Sequence, residues 1–451
     1  MHKKTFHLSS LGCAKNSVDS DSMAQLLIQA KFEPIEDVNQ AGVVIVNTCG
    51  FIGPAKDESL ALLQELASQK KNGQLLIAAG CLTQRYGRQV AKQVPGLDGI
   101  LGTRRWMDIV DVVQRLRTSK YPEPIYHLPK AADVGRTDAG TNRVNVQGAS
   151  AYIKVADGCR RPCAFCAIPL IKGSAISRPI AAILEDARVL EQIGTREIIL
   201  IAQDTTDYGH DLGMKNGLAT LLNHIVEAVP KIDWVRVMYA YPGYVTDELI
   251  ETMAGHAQVL PYLDMPLQHA HPDTLKRMRR PANMDWVHRT LEKMRTAIPE
   301  LALRTTFIVG YPGETEEEFE SLIDFVEEIR FDRVGAFQFS FEEGTASEVL
   351  GDPIPIEVKD ERLERLMTIQ QKISLERNQA WVGKTLDVLI EGQGDGISVG
   401  RSYRDAPEID GMVVIEEVLP VGDLLPIRIT GSMAYDLTGT VDKPINVPGK
   451  L

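Results

Sequence analysis

A chain of 451 residues, 44% hydrophobic and 24% charged, has room for about three domains and the make-up of a folded soluble protein, which excludes disorder as its main theme. With 49 Lys and Arg against 61 Asp and Glu, a net charge of −12, it lacks the basic footprint of a general nucleic-acid binder, and direct nucleic-acid binding is not expected. No apolar run approaches the roughly 18 residues that cross a bilayer, and MHKKTFHLSSLGC has no apolar stretch for a secretory signal, so a cytoplasmic protein without a membrane partner is expected.

Residues 1–117 alternate short apolar runs with helical patterns. TFHLSS (5–10), VVIVN (43–47) and LLIAA (75–79) read as strands, and 17–30, 55–71 and 83–93 as helices. That alternation predicts a doubly wound parallel sheet. Residues 118–150 are rich in Pro, Gly and polar residues and read as a linker. From 151 to 376 the rhythm returns, with six candidate strands at 151–156, 197–202, 234–240, 262–267, 303–309 and 333–340. Helical patterns separate them, and a longer one covers 357–379. Six βα units suggest a partial or complete βα barrel, whose site lies at the C-terminal strand ends. Residues 377–451 break into short apolar runs between Gly, Pro and Asp, the texture of a small all-β barrel.

There are six cysteines. In a reducing compartment they read as buried thiols, catalytic thiols or metal ligands rather than disulfides. Cys159, Cys163 and Cys166, in DGCRRPCAFCAIP, follow the first barrel strand. Three thiolates so close can chelate one metal centre. A structural zinc site closes with four ligands, and the local fourth is missing. On a four-iron cluster, three cysteines leave one iron open. The alternatives are a zinc site with a distant fourth ligand, or a chance cluster. Cys13, Cys49 and Cys81 are far apart in sequence, yet each follows a predicted parallel strand. In an open α/β sheet those strand ends line the ligand crevice. Gly12, Gly50 and Gly80 beside them allow close backbone approach. A second cluster is favoured over three buried structural thiols.

Weaker signals sit at other strand ends. Gln203 and Asp204 end the second barrel strand, where a cofactor would be met. Gly310, in FIVGYPGET (307–315), ends the fifth in a turn before an acidic helix. LQHAH (267–271) ends the fourth, with functional and packing readings about even. Gly396-Ile-Ser398-Val-Gly400 matches a nucleophile elbow but has no helix after it. Walker A, H-E-x-x-H and G-x-G-x-x-G patterns are absent from their expected places.

CRRPCAFC after a barrel strand resembles the radical S-adenosylmethionine (SAM) enzymes. The three-cysteine domain in front and the small β domain behind, similar to a TRAM domain, resemble the methylthiotransferases over nearly the whole chain. LGCAKNSVDSD, LIAQDTTDYG and GRSYRDAPEIDG resemble the branch that acts on small-subunit ribosomal protein twelve (uS12). Asp21, where that branch has Glu, is a conservative departure. The resemblance implies two 4Fe–4S clusters. Cys159, Cys163 and Cys166 would hold one, whose open iron chelates SAM and whose electron cleaves it to a 5′-deoxyadenosyl radical. Cys13, Cys49 and Cys81 would hold the other, which carries the sulfur to be inserted. One SAM would methylate that sulfur. A second would supply the radical that takes hydrogen from the β-carbon of an aspartate. An electron donor such as a flavodoxin or ferredoxin would be required.

The tail bears on the substrate. Residues 381–451 hold eleven Asp and Glu against six Lys and Arg, a net of −5. A module gripping tRNA should be basic, whereas an acidic one suits a basic ribosomal protein. A tRNA-adenosine methylthiotransferase and a non-catalytic iron–sulfur protein on the ribosome remain as alternatives.

Overall fold

A computed structural model describes residues 4–118, 123–135 and 140–442. The N-terminal domain is a six-stranded sheet of β1 (Thr5–Ser10), β2 (Glu33–Pro34), β3 (Val43–Thr48), β4 (Leu75–Gly80), β5 (Gly99–Gly102) and β6 (Ile125–His127). Every pairing is parallel, in the order β2-β1-β3-β4-β5-β6. β3 and β4 are buried at every residue. A parallel strand covered on both faces reads as an unbroken apolar run, which is why both were legible. Helices Ala14–Gln29, Gly53–Gln69 and Cys81–Gln93 follow β1, β3 and β4. Strand order reverses between β1 and β3, which makes their C-terminal ends the sheet's natural crevice.

The stretch 118–150, expected as a linker, contributes β6 to this sheet and β7 (Val144–Gln147) to the next. β5 and β6 escaped detection because GILG and IYH are too short to show a period. β7 runs antiparallel to β8 (Ser150–Lys154), and a short antiparallel pair, β9 (Ala156–Asp157) with β10 (Ile176–Ser177), follows. The remaining strands are β11 (Glu197–Ile201), β12 (Trp234–Val237), β13 (Tyr262–Asp264), β14 (Ala302–Val309) and β15 (Arg333–Gln338). β8, β11 and β12 pair in parallel, as do β13, β14 and β15. Val235 joins the two halves: its N–H donates to Gln258 at 2.7 Å and its carbonyl accepts from Leu260 at 3.0 Å. Six parallel strands in chain order thus form an open βα barrel. Several stop earlier than their apolar runs. Past β12, Tyr239 (φ 63°) turns left-handed, a conformation that breaks a ladder; past β13, Pro266 has no N–H to donate to one.

The tail closes into a barrel of β16 (Thr385–Gly394), β17 (Ile397–Ser402), β18 (Val413–Ile415), β19 (Leu424–Ser432) and β20 (Leu437–Val441), in the order β16-β17-β18-β20-β19. Val388, Ile390, Val413, Ile415, Ile427 and Leu437 fill it. Ser398 lies inside β17, buried, and its hydroxyl accepts from the Leu419 N–H at 2.8 Å. Its role is packing, not nucleophilic. Among the described residues no helix is long and apolar enough to cross a membrane.

Two buried ionic networks lock the three parts together. On one side, Asp19 of helix Ala14–Gln29 meets Arg143, Lys154 (2.6 Å) and Lys172 (2.7 Å), with Asp157 2.6 Å from Lys154. At the opposite end, the tail plugs the N-terminal ends of the barrel strands. Arg401 reaches Glu197 at 2.6 Å, and Arg236 holds that carboxylate's other oxygen at 2.6 Å. Arg333 bonds Asp405 at 2.5 Å, Arg404 bonds Asp332 at 2.8 Å, and Asp410 accepts from the Tyr262 hydroxyl at 2.7 Å.

Burial alone would raise Glu197, but Arg401 and Arg236 hold it down to about 2, from an ordinary value of 4.5. A depressed carboxyl stabilises the fold above its unfolded pKa, and that contribution is lost as pH falls through the folded one. Urea unfolding should therefore weaken between pH 4.5 and 2, with roughly 3 kcal/mol tied to Glu197 at ~1.4 kcal/mol per unit. Glu197→Gln should be less stable at pH 7 and flatter over that window; an unchanged slope would refute the assignment.

Candidate functional site

The cysteines are placed by helix starts and strand ends. Cys13 caps helix Ala14–Gln29, Cys49 directly follows β3, and Cys81 is the first residue of its helix. β1 and β3 are neighbours at the strand-order reversal, so Cys13 and Cys49 meet there. Gly12 makes room. At φ +95°, a Cβ on it would sit 2.9 Å from the Cys49 Cβ and 3.1 Å from its Sγ. Gly80 (φ +105°) would likewise strike the Thr48 backbone at 2.6 Å. Gly50 instead lies against the backbone of Leu82.

Cys159, Cys163 and Cys166 lie on the loop after β9. All six thiols are free and line one cavity of about 470 Å³ between the N-terminal sheet and the open barrel mouth. Apolar side chains form much of its wall: Phe165, Ile168 and Ile171, with Phe51 and Phe337, 37% and 55% exposed, at its rim. Gln203 and Asp204 line it as expected. Gly310 does not. Its N–H donates to the Glu314 carboxylate at 3.0 Å, and a Cβ there would meet Lys359 at 2.4 Å. That turn is packed against the long helix Ile356–Gln379. In LQHAH the two readings divide: Gln268 lines the cavity, while His269 is buried 3.5 Å from Glu314.

Burial sets the thiol electrostatics. It pushes Cys49 up, Cys159 to about 11, and Cys81 and Cys166 to about 12. Such thiols stay protonated at neutral pH until a metal takes the proton's place. Cations stand ready to offset the thiolate charge. Lys172 acts on Cys81 and the Arg161 guanidinium on Cys159, whose Sγ also accepts from the Arg161 backbone N–H at 3.4 Å, and Arg280 Nη1 lies 3.6 Å from Cys163 Sγ.

Sequence reasoning missed these basic and aromatic residues. Arg161 donates to Asp204 at 2.5 Å and stacks on Tyr244 at 3.5 Å, and Arg280 stacks on Tyr241 at 4.1 Å. Burial outweighs Arg161 and pushes the Asp204 carboxyl up. Lys15 lies 3.3 Å over the Tyr239 ring. Only the doubled arginine of CRRPC hinted at any of this. Asp21, the departure noted above, accepts from Asn145 at 2.8 Å across the domain joint.

The donor set suits iron–sulfur clusters. Each group supplies three thiols and no fourth cysteine exists to close it. No three His, Cys, Asp or Glu side chains among the described residues converge as on a single ion, and ligands of separate irons stand further apart than those of one zinc. Two buried acceptors on residues that line the cavity, Gln203 Oε1 and Asn16 Oδ1, have no partner among the described residues, and unpartnered buried polar atoms are rare.

Comparison with known proteins gives three family matches: the radical SAM superfamily over residues 153–326, uncharacterized protein family UPF0004 over 5–102, and a TRAM domain over 382–441. Similar curated proteins include "Ribosomal protein uS12 methylthiotransferase RimO" from Roseiflexus sp. (strain RS-1), 46% identical with 96% of each chain covered. The protein of that name from Chloroflexus aurantiacus is also 46% identical, covering 96% of this chain and 99% of its own. Among solved structures, the radical SAM methyltransferase TsrM from Kitasatospora setae aligns with TM-score 0.58 at 12% identity, over 87% of this chain and 79% of its own. That likeness speaks for the fold alone.

Proposed function

The chain belongs to the uS12 methylthiotransferase (RimO) family of radical SAM enzymes, and from that premise we propose that it methylthiolates the β-carbon of an aspartate in uS12. The carrying observation is the convergence of two three-thiol sets on one cavity. We assign Cys159, Cys163 and Cys166 to one 4Fe–4S cluster beside SAM, and Cys13, Cys49 and Cys81 to a second. When bound, these groups supply a hydrogen-abstracting radical and the methylthio group to be inserted.

The chain's own residues position and shield. Arg161, pinned by Asp204 and the Tyr244 ring, holds the Cys159–Cys166 loop. Gln203 and the buried Asp204, which line the cavity, are the acceptors we assign to the cofactor. The apolar wall excludes water, which protects a radical from side reactions. A low-potential carrier such as a flavodoxin or ferredoxin would deliver the electron, in the cytoplasm, where the six free thiols stay reduced.

A tRNA substrate is less well supported. Arg401 and Arg404 are spent in the joint with the barrel, so the exposed bases of the described tail reduce to Lys384 and Arg428. Asp387, Glu391, Asp395, Glu408, Glu416, Glu417 and Asp442 remain exposed. A surface of that sign repels phosphates and attracts a basic protein. Mass spectrometry of uS12 and of tRNA nucleosides, from cells with and without this chain, tests the assignment. Loss of a methylthio group from uS12 with tRNA unchanged is expected. Loss of a methylthioadenosine instead would overturn the substrate.

A further inference from the structure

Four cations line the cavity: Lys15, Arg161, Lys172 and Arg280. Lys172 is committed to Asp19 and Asp157, and Arg161 to Asp204 and Asp207. Lys15 and Arg280 have no carboxylate partner among the described residues. Arg280 is held on the Cys163 side, by that sulfur and by the Tyr241 ring. Lys15 stands on the other side, two residues after Cys13. Its carbonyl is pinned by Lys154 at 3.4 Å, and its ammonium is fixed 3.3 Å over Tyr239. Tyr239 is itself in the left-handed region, at φ 63°. A side chain in that conformation persists only where its surroundings enforce it, commonly at a functional site.

We infer that Lys15 receives the carboxylate of the substrate aspartate and thereby selects it. This inference rests on the functional reading above. The reacting β-carbon of an aspartate is bonded directly to its carboxylate carbon. A cation beside Cys13 therefore sets that carbon facing the thiols of the N-terminal sheet. A ring face holds an ammonium without neutralising it, so the charge stays available to an incoming anion. A half-buried ion pair of this kind is worth far more than one at an open surface.

The test measures binding of uS12, and of uS12 whose target aspartate is Asn, to the cluster-loaded enzyme. Wild type should prefer the aspartate form by about tenfold, the scale of one charge-assisted hydrogen bond. Lys15→Gln should bind both forms within about twofold, with its iron content unchanged. Lys15→Gln keeping the full preference would overturn the inference. Wild type alone offers a second arm: raised salt should shrink its preference, because screening weakens a half-exposed pair. A preference indifferent to salt would also overturn it. Wild type that neither binds nor modifies uS12 would overturn the functional reading itself, a distinct failure.

Discussion

Replacing Cys159, Cys163 or Cys166 by Ala should abolish SAM cleavage by the reduced enzyme, and methylthiolation with it. Replacing Cys13, Cys49 or Cys81 should leave cleavage intact and stop methylthiolation alone. The division is that of the proposed function, and the placement of the two sets is consistent with it. The first set sits on the barrel loop beside Asp204 and Arg161, and the second on the strand ends of a different sheet. Each set has three thiols, so losing one leaves two, too few to hold a four-iron cluster firmly. Iron bound after reconstitution should fall by about half in either case if, as proposed, each set holds its own cluster. Liquid chromatography of 5′-deoxyadenosine, with iron analysis of the same preparations, reads both outcomes. If the two sets gave one phenotype, the division of labour would be wrong.

Asp19→Asn should destabilise the protein by about 3–5 kcal/mol, the usual cost of breaking a buried ion pair by removing one partner. Burial alone would raise the Asp19 carboxyl, yet Lys154, Lys172 and Arg143 hold it far below its ordinary value. Without its charge, Asp157 is left to offset Arg143, Lys154 and Lys172. The loss should appear as a lower urea midpoint at pH 7. The joint between the N-terminal sheet and the barrel should loosen, because Asp19 belongs to one and Lys154 and Lys172 to the other. The double change Asp19→Asn with Lys154→Met should cost less than the sum of the two, since the residues share one network. Strict additivity would refute the network.

Strand and helix placement was legible wherever a period ran long enough. β3, β4 and β11 are buried at every residue and β14 alternates buried with half-buried positions, and their boundaries agree with the sequence reading to within a residue or two. β5, β6 and β7 were missed because three or four residues carry no period, and their pairing comes from the partner strand. The end of β12 was overrun because left-handed Tyr239 carries no apolar–polar signature, and that of β13 because Pro266 sits inside an otherwise apolar run without an N–H for the ladder. Gly310 sits in a turn whose sequence has the texture of a site, and its N–H is taken by Glu314 while Lys359 packs against it.

The tail shows the same limit from another side. GRSYRDAPEIDG pointed to the family. Its Arg401, Arg404, Asp405 and Asp410 are used to plug the barrel floor, at the opposite strand ends from the thiols. A charge count along a chain cannot tell a solvated side chain from one paired across a joint.

By itself the sequence determined the three-part architecture, the six thiols and their division into two sets, because each is written in local spacing or at a strand end. Only the tertiary structure decided that both sets face one cavity, that Lys15 and Arg280 are its cations without a carboxylate partner among the described residues, and that Asp19 clamps the sheet to the barrel. Those facts depend on residues more than a hundred positions apart meeting in a low-dielectric interior. There, which partner each charge finds is fixed by packing and not by the order of the chain.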